Sequence, residues 1–84
     1  MRSLRRRARR LARHGELRKA AGLLRTLVAL RSEPSHWVLL GDMLRRAHRI
    51  DEAREAFKQG LWLNRQAGAH ARAATVATLI ATLG

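Results

Sequence analysis

The 84-residue sequence contains no cysteine, so no disulfide can stabilise it, and it has no Cys/His cluster with the spacing of a zinc site. Packing of apolar side chains must therefore hold the fold together, and the absence of cysteine favours a reducing, cytoplasmic location. Tyrosine is absent too, as is any glycine-rich loop of the kind that binds phosphate. The four histidines are scattered, with no two at metal-ligand spacing on one helix. We expect a protein that is not an enzyme and that has no cofactor or metal.

Long apolar runs are also lacking. The apolar stretch at 73–83 is shorter than the ~18–20 residues that span a bilayer. A secretory signal is excluded because arginines occupy the place where its apolar core would lie. The Arg-rich, acid-poor start resembles a mitochondrial transit peptide, an alternative that conflicts with the repeat described below. We therefore expect a soluble protein without a membrane span.

Acidic residues are few. The chain has 18 Lys and Arg against 6 Asp and Glu, a formal net charge of +12. Such an excess favours polyanionic partners, namely nucleic acid, an anionic membrane surface or an acidic protein segment. The charge is concentrated at one end, where the first thirteen residues contain no acid and these arginines: Arg2, Arg5, Arg6, Arg7, Arg9, Arg10 and Arg13. After residue 66 the only charged side chain is Arg72.

The sequence does contain an internal repeat with a period of 33 residues. Shifting the chain by that amount aligns similar residues in seven pairs: Leu4/Trp37, Ala8/Gly41, Leu11/Leu44, Leu17/Ile50, Ala20/Ala53, Leu24/Phe57 and Leu30/Leu63. Within each copy these positions recur at the helical period. A break near 13–15, and another near 47–49, divides each copy into helix, turn and helix.

The helix boundaries have local causes. Gly15 supplies a turn conformation between the first two helices. Pro34 disfavours helix in the residue before it, and Ser35 is expected to cap the helix that follows. Asp51 is expected to be another N-cap, with Glu52 in the first turn, where the helix dipole favours negative charge. The sequence predicts five helices, at about 2–13, 16–31, 35–47, 51–65 and 69–83.

The second copy carries a family resemblance. It reads Trp37-x-x-Leu40-Gly41-x-x-Leu44 and then Ala53-x-x-x-Phe57, which resembles the tetratricopeptide repeat (TPR) signature W-x₂-L-G-x₂-Y…A-x₃-F, with leucine in place of tyrosine. The first copy is weaker, because Arg7 stands where leucine is expected. The resemblance implies an all-α fold of TPR-like helical hairpins forming a short right-handed α-solenoid. Small residues are expected where paired helices cross, and large ones between hairpins.

On this interpretation residues 1–84 form a single domain. Repeat 1 covers about 1–33, repeat 2 about 34–66, and a closing helix about 69–83. The period is one residue shorter than the family's 34, and we place the missing residue in the connection at 31–34. An unrelated bundle of helical hairpins is the alternative.

The resemblance also implies a ligand groove, lined by the first helix of each hairpin. The residues expected there are Arg2, Arg5, Arg9, Arg13, Ser35, Val38, Asp42, Arg45 and Arg46. The family's carboxylate clamp is not reproduced, because Arg9 and Asp42 stand where asparagine is expected. We expect an adaptor, a chaperone-like module or a small assembly subunit, whose basic groove binds an acidic or amphipathic segment of a protein partner.

The Arg-rich first helix permits two other interpretations. Its arginines could form a solvated outer face without a ligand. They could instead neutralise the phosphates of RNA or DNA, giving affinity that falls steeply with salt. The chain has few aromatic side chains to stack on unpaired bases, since Trp37 is a predicted core residue.

The closing helix is expected to cover the second hairpin. Its apolar stripe consists of Ala73, Val76, Ala77, Ile80 and Leu83. The opposite side is polar except for Leu79, which we group with Trp62 as a predicted association surface. About three repeats are needed for independent stability, so we expect a homo-oligomer or a place in a larger assembly.

Overall fold

The computed structural model describes residues 2–83, with side chains from residue 4 onward. Over this range the chain is all-α, as predicted, and contains no strand. The five helices are α1 (Arg2–Arg13), α2 (Leu17–Leu30), α3 (Pro34–Arg46), α4 (Ile50–Gln66) and α5 (His70–Thr82). Each predicted helix is confirmed, with its ends displaced by no more than one residue.

Three of the four connections form the same turn. Helices α1, α3 and α4 are each followed by a residue with positive φ, at Gly15 (79°), His48 (63°) and Gly68 (70°). The next N–H then donates to a carbonyl five residues earlier, in the pairs Glu16 to Leu11, Arg49 to Leu44 and Ala69 to Asn64, each at 2.9 Å. This is the Schellman arrangement, which satisfies carbonyls left open at a helix end. The predicted breaks after the first and third helices are therefore confirmed.

The connection from α2 to α3 is different, and it corrects the predicted cap at Ser35. Helix α3 begins at Pro34, with extended Glu33 in the N-cap position and no side-chain cap hydrogen bond. Proline has its φ fixed near the helical value and lacks the N–H that would be left unpaired, so it is well suited to the first helical position. Ser35 is the second residue of the helix, two positions beyond the N-cap, and so cannot act as the cap.

The predicted cap at Asp51 is also wrong. Helix α4 begins at Ile50, its N-cap residue is Arg49, and no side chain caps it. The Schellman turn closes at Arg49, so the helix starts directly after it. Asp51 and Glu52 lie in the first turn, where their charge complements the helix dipole.

The core consists of small residues facing large ones. Ala20 and Ala53, which are 33 positions apart, are both 0% exposed. The largest fully buried side chains are Phe57, Leu24, Leu27 and Leu44. Trp37 is half-buried against this core, and its Nε1 donates a hydrogen bond to Ser32 Oγ at 2.9 Å.

The principal contacts between helices all join consecutive helices, from α1 with α2 through to α4 with α5. The described residues measure 32 × 29 × 17 Å, so the arrangement is thin in one direction. None of the helices described over residues 2–83 combines the length and apolarity that crossing a bilayer requires. One surface of this arrangement is formed by α1, α3 and α5 together, and it contains the candidate site.

Candidate functional site

An open groove of about 870 Å³ is lined mainly by α1, α3 and α5. Helix α1 supplies Arg5 and Arg9, and α5 supplies Arg72, Thr75, Val76 and Leu79. The segment from Glu33 to Asp42 supplies Glu33, Pro34, Ser35, Val38, Leu39 and Asp42, and α4 contributes Asn64. We call this surface the α1/α3/α5 groove.

Helical spacing explains why these side chains share one surface. Residues three or four positions apart lie on the same face of a helix. Arg5 and Arg9 are four apart on α1, as are Val38 and Asp42 on α3, and Arg72 and Val76 on α5. Each of the three helices therefore contributes one narrow stripe to the groove.

The structure brings together five of the residues predicted for the groove: Arg5, Arg9, Ser35, Val38 and Asp42. Arg13, Arg45 and Arg46 are not among its lining residues. Arg13 is the last residue of α1, and Arg45 and Arg46 lie at the end of α3. The side chain of Arg2, also predicted for the groove, lies outside the described residues.

The groove is positive because its two acids are already paired. Asp42 Oδ1 lies 2.5 Å from Arg45 Nη2, and Arg46 Nη1 lies 3.9 Å from Asp42 Oδ2. Glu33 contacts Arg31 at 3.8 Å and His36 Nε2 at 3.3 Å.

By contrast, Arg5, Arg9 and Arg72 form no ion pair with any residue that the structure describes. Their guanidinium groups are permanently charged and are suited to carboxylates or phosphates. An anionic ligand could therefore bind these three arginines without breaking an existing contact.

Aliphatic side chains form the rest of the groove. Val76 is buried, while Val38, Leu39 and Leu79 are half-buried and pack against the core. Leu79 was predicted to belong to an association surface with Trp62. Leu79 lies in the groove, whereas Trp62 is 58% exposed and is not among the groove residues.

The exposed side chain of Leu30, at the end of α2, was not anticipated from the sequence. It is 59% exposed, although the repeat alignment paired it with Leu63, which is half-buried. Leu30 is the last residue of its helix and is followed by extended backbone at Arg31. Because the helix ends at Leu30, no further helical turn covers this side chain.

Asn64 is the site residue that sequence reasoning missed. It is 3% exposed, it lines the groove, and its Oδ1 has no hydrogen-bond partner among the described residues. One turn earlier, a Cβ added at Gly60 would lie 2.9 Å from Val38 Cγ2 and 3.4 Å from the Pro34 carbonyl oxygen. The close approach of α4 to α3 at Gly60 places Asn64 at the bottom of the groove. The sequence did contain a signal for the burial of Asn64, because residues 57, 60 and 64 lie at helical spacing and share one face of α4.

The side chains of the groove are cationic, aliphatic and amide groups, which are suited to binding a ligand. Within residues 4–83 no three His, Cys, Asp or Glu side chains come together in a way that could hold a metal ion. Comparisons of the chain with known protein families, with curated proteins and with solved structures found no match.

Proposed function

We propose that this chain is a protein–protein interaction module whose α1/α3/α5 groove binds an acidic, amphipathic segment of a partner protein. The observation that carries the proposal is the presence, in one groove, of a row of aliphatic side chains and three arginines that form no ion pair with any described residue. Exposed ion pairs contribute only ~0–1 kcal/mol each, so the arginines chiefly steer association and select for negative charge. Val38, Val76 and Leu79 would supply apolar contacts.

We further propose that the scaffold is TPR-like, with two helical repeats and a closing helix. Equivalent positions in the two copies support this, since Ala20 matches Ala53 and Leu24 matches Phe57 in complete burial. The recurrence of one turn type at Gly15 and His48, 33 residues apart, supports it as well. On this scaffold the chain would act as an adaptor, a chaperone-like module or a small assembly subunit. Its role would be binding without catalysis, and no cofactor is needed for it.

Two pairs of arginines on α1 give a matched test. Arg5 and Arg9 line the groove, whereas Arg6 and Arg10 are exposed on the same helix and do not. Replacing either pair by glutamate changes the net charge equally. We expect Arg5→Glu/Arg9→Glu to weaken binding of a fluorescein-labelled peptide containing Glu and Leu by about tenfold or more. Arg6→Glu/Arg10→Glu should change it less than about threefold, because long-range charge alone is screened by salt.

The measurement is fluorescence anisotropy at physiological ionic strength, with circular dichroism to show that both variants remain helical. Equal loss of affinity in the two double variants would contradict the groove as the binding site. Absence of binding by the unmodified chain would contradict the proposed function as a whole.

Nucleic-acid binding is the second candidate function, and one observation favours it. Arg6, Arg7, Arg10 and Arg13 are exposed on α1 and form no ion pair within the described part of the chain. Contacts with phosphate would make affinity for a single-stranded RNA oligonucleotide fall steeply as salt increases. In that case both pairs of glutamate substitutions should weaken RNA binding to a similar extent.

We also propose that the chain functions in the cytoplasm as part of an assembly with itself or with other subunits. The absence of cysteine supports the cytoplasmic location. The exposed Trp62 supports membership of an assembly. Cell fractionation tests the location. Recovery of the chain in the membrane pellet or in an organelle fraction would contradict it.

A further inference from the structure

Among the described residues, Asn64 Oδ1 is the buried side-chain oxygen or nitrogen that has no hydrogen-bond partner. Buried carbonyl and amide groups in folded proteins are nearly always hydrogen-bonded, because an unpaired one loses its contacts with water and gains none in return. Asn64 Oδ1 has no partner among the described residues, and the residue is 3% exposed. It also lines the α1/α3/α5 groove. A ligand in the groove is therefore the group best placed to satisfy it.

The chemistry of the amide limits what that ligand can be. An asparagine side chain presents one acceptor oxygen and an NH₂ donor side by side. Asn64 Oδ1 is itself buried, so the side chain must rotate about its broad terminal torsion to present the oxygen to a ligand in the groove. In an extended segment the backbone N–H and C=O of a single residue point to the same side, so together they match both atoms at once.

We propose that Asn64 binds the backbone N–H and C=O of one residue of the partner segment, and that this segment is therefore extended where it crosses the groove. A helical segment uses its backbone N–H and C=O groups internally and has none to offer. An extended segment leaves both groups free. This inference rests on the proposed function, because it specifies the conformation of the same acidic ligand.

The rest of the groove fits an extended ligand. Successive side chains of an extended chain point to opposite sides, with a period of two. Alternating acidic and apolar residues would then direct carboxylates to Arg5, Arg9 and Arg72 and apolar side chains to Val38 and Leu79. A segment of about six residues spans roughly 20 Å, which the described dimensions of the chain can accommodate.

Three fluorescein-labelled probes test the inference, each with blocked ends and the same number of Glu and Leu residues. The first is an eight-residue peptide of alternating Glu and Leu. The second is a set of the same peptide in which one backbone amide at a time is N-methylated, which removes one N–H donor and keeps every side chain. The third is a stapled helical peptide with Glu and Leu on opposite faces.

The protein variants are Asn64→Leu, which removes the amide at similar size, and Gln66→Leu, a control at an exposed position of α4. We expect Asn64→Leu to unfold at a higher temperature than the unmodified chain, because it removes an unpaired buried acceptor. Its affinity for the alternating peptide should nevertheless fall about tenfold, while Gln66→Leu changes it less than about twofold.

The N-methylated set isolates the hydrogen bond itself. With the unmodified chain, one N-methyl position should weaken binding about tenfold more than its neighbours, and in Asn64→Leu this extra loss should disappear, as in a double-mutant cycle. The helical probe should bind less tightly than the alternating peptide and should be insensitive to Asn64→Leu.

Two results would overturn the inference: the same N-methyl profile in both proteins, or tighter binding of the helical probe. If the alternating peptide binds through Arg5 and Arg9 but Asn64→Leu has no effect, the inference fails and the proposed function remains. If no probe binds, both fail.

Discussion

Gly41 of α3 lies directly against the aromatic ring of Phe57 in α4. A Cβ added at Gly41 would come within 2.6 Å of Phe57 Cδ1 and Cε1, closer than carbon atoms approach in folded proteins. Phe57 is 1% exposed, so the surrounding core prevents its ring from moving aside. The missing side chain at position 41 is therefore what allows α3 and α4 to pack closely.

This relationship predicts that Gly41→Ala destabilises the fold. Overpacking in a core costs about 1–3 kcal/mol, which should exceed the ~1 kcal/mol by which alanine is preferred over glycine in a helix. The matched control is Gly22→Ala in α2, where an added Cβ has no neighbour within 4 Å. That variant should raise the free energy of unfolding by about 0.5–1 kcal/mol. Urea unfolding followed by circular dichroism measures both, and a stabilising Gly41→Ala would show that the close contact is wrong.

Substitutions at His48 and at Gly15, its equivalent 33 residues earlier, should change the stability of the fold in opposite directions. Both have positive φ, at 63° and 79°, and His48 is the one non-glycine residue with positive φ in the described chain. An L side chain in this conformation costs roughly 1–2 kcal/mol, part of which is offset because glycine has more freedom when unfolded. His48→Gly should therefore stabilise the chain by about 0.5–1 kcal/mol, and Gly15→His should destabilise it by a similar amount. Thermal unfolding tests the pair, and shifts of the same sign would contradict the prediction.

Glu52 predicts a loss of stability in acid. Its hydrogen bonds with Arg49, and then with Arg25, hold the pKa of the Glu52 carboxyl below its ordinary value of 4.5. The pair with Arg25 also connects α4 with α2. Because the pKa is lower in the folded state, the charged carboxylate favours folding above about pH 4.5, and this contribution is lost as the pH falls through the lowered folded value.

The variant Glu52→Gln should therefore be less stable than the unmodified chain at pH 7, and the difference should disappear at low pH. The control is Glu55→Gln, whose carboxylate pairs with Lys58 one turn along the same helix at 3.3 Å. It should show a smaller difference, because that pair connects no second helix. Chemical unfolding at a series of pH values measures this, and a Glu52→Gln difference that persists in acid would count against the assignment.

The exposed indole of Trp62 predicts that the chain associates. Tryptophan is enriched among the residues that dominate protein interfaces, and this side chain is 58% exposed. We expect Trp62→Gln to weaken association by about tenfold or more in sedimentation velocity at micromolar concentrations. Leu30→Gln, at another exposed apolar side chain among the described residues, is the control and should have little effect. A chain that remains monomeric at high micromolar concentration would refute the prediction.

The sequence was sufficient to predict the helices, because their boundaries depend on local signals. Periodicity located all five, and the turn at Gly15 requires only the conformational freedom of glycine. The two predicted caps failed for a local reason as well, since Pro34 can begin a helix itself and the preceding turn already closes at Arg49. These errors displaced each boundary by one residue and left the fold class unchanged.

The candidate site was only partly predictable. Arg5, Arg9 and Val38 could be assigned to the groove from their positions within the repeat, and the structure places them there. Arg72 could not, because α5 lies outside the two aligned copies and its rotation depends on tertiary packing. Asn64 was missed because a polar residue on an amphipathic helix is normally exposed, and its burial depends on how closely α4 approaches α3 at Gly60.

The sequential packing of the helices has a mechanical consequence. Each helix is held mainly by its neighbours in the chain, so α1 is attached through a single large interface with α2 and can open without disturbing α4 or α5. A segment lying across α1, α3 and α5 would connect helices that otherwise have little direct contact. Bound in this way, the segment would add contacts between α1, α3 and α5. The amide hydrogens of the amino-terminal helix would then exchange more slowly than they do in the free chain.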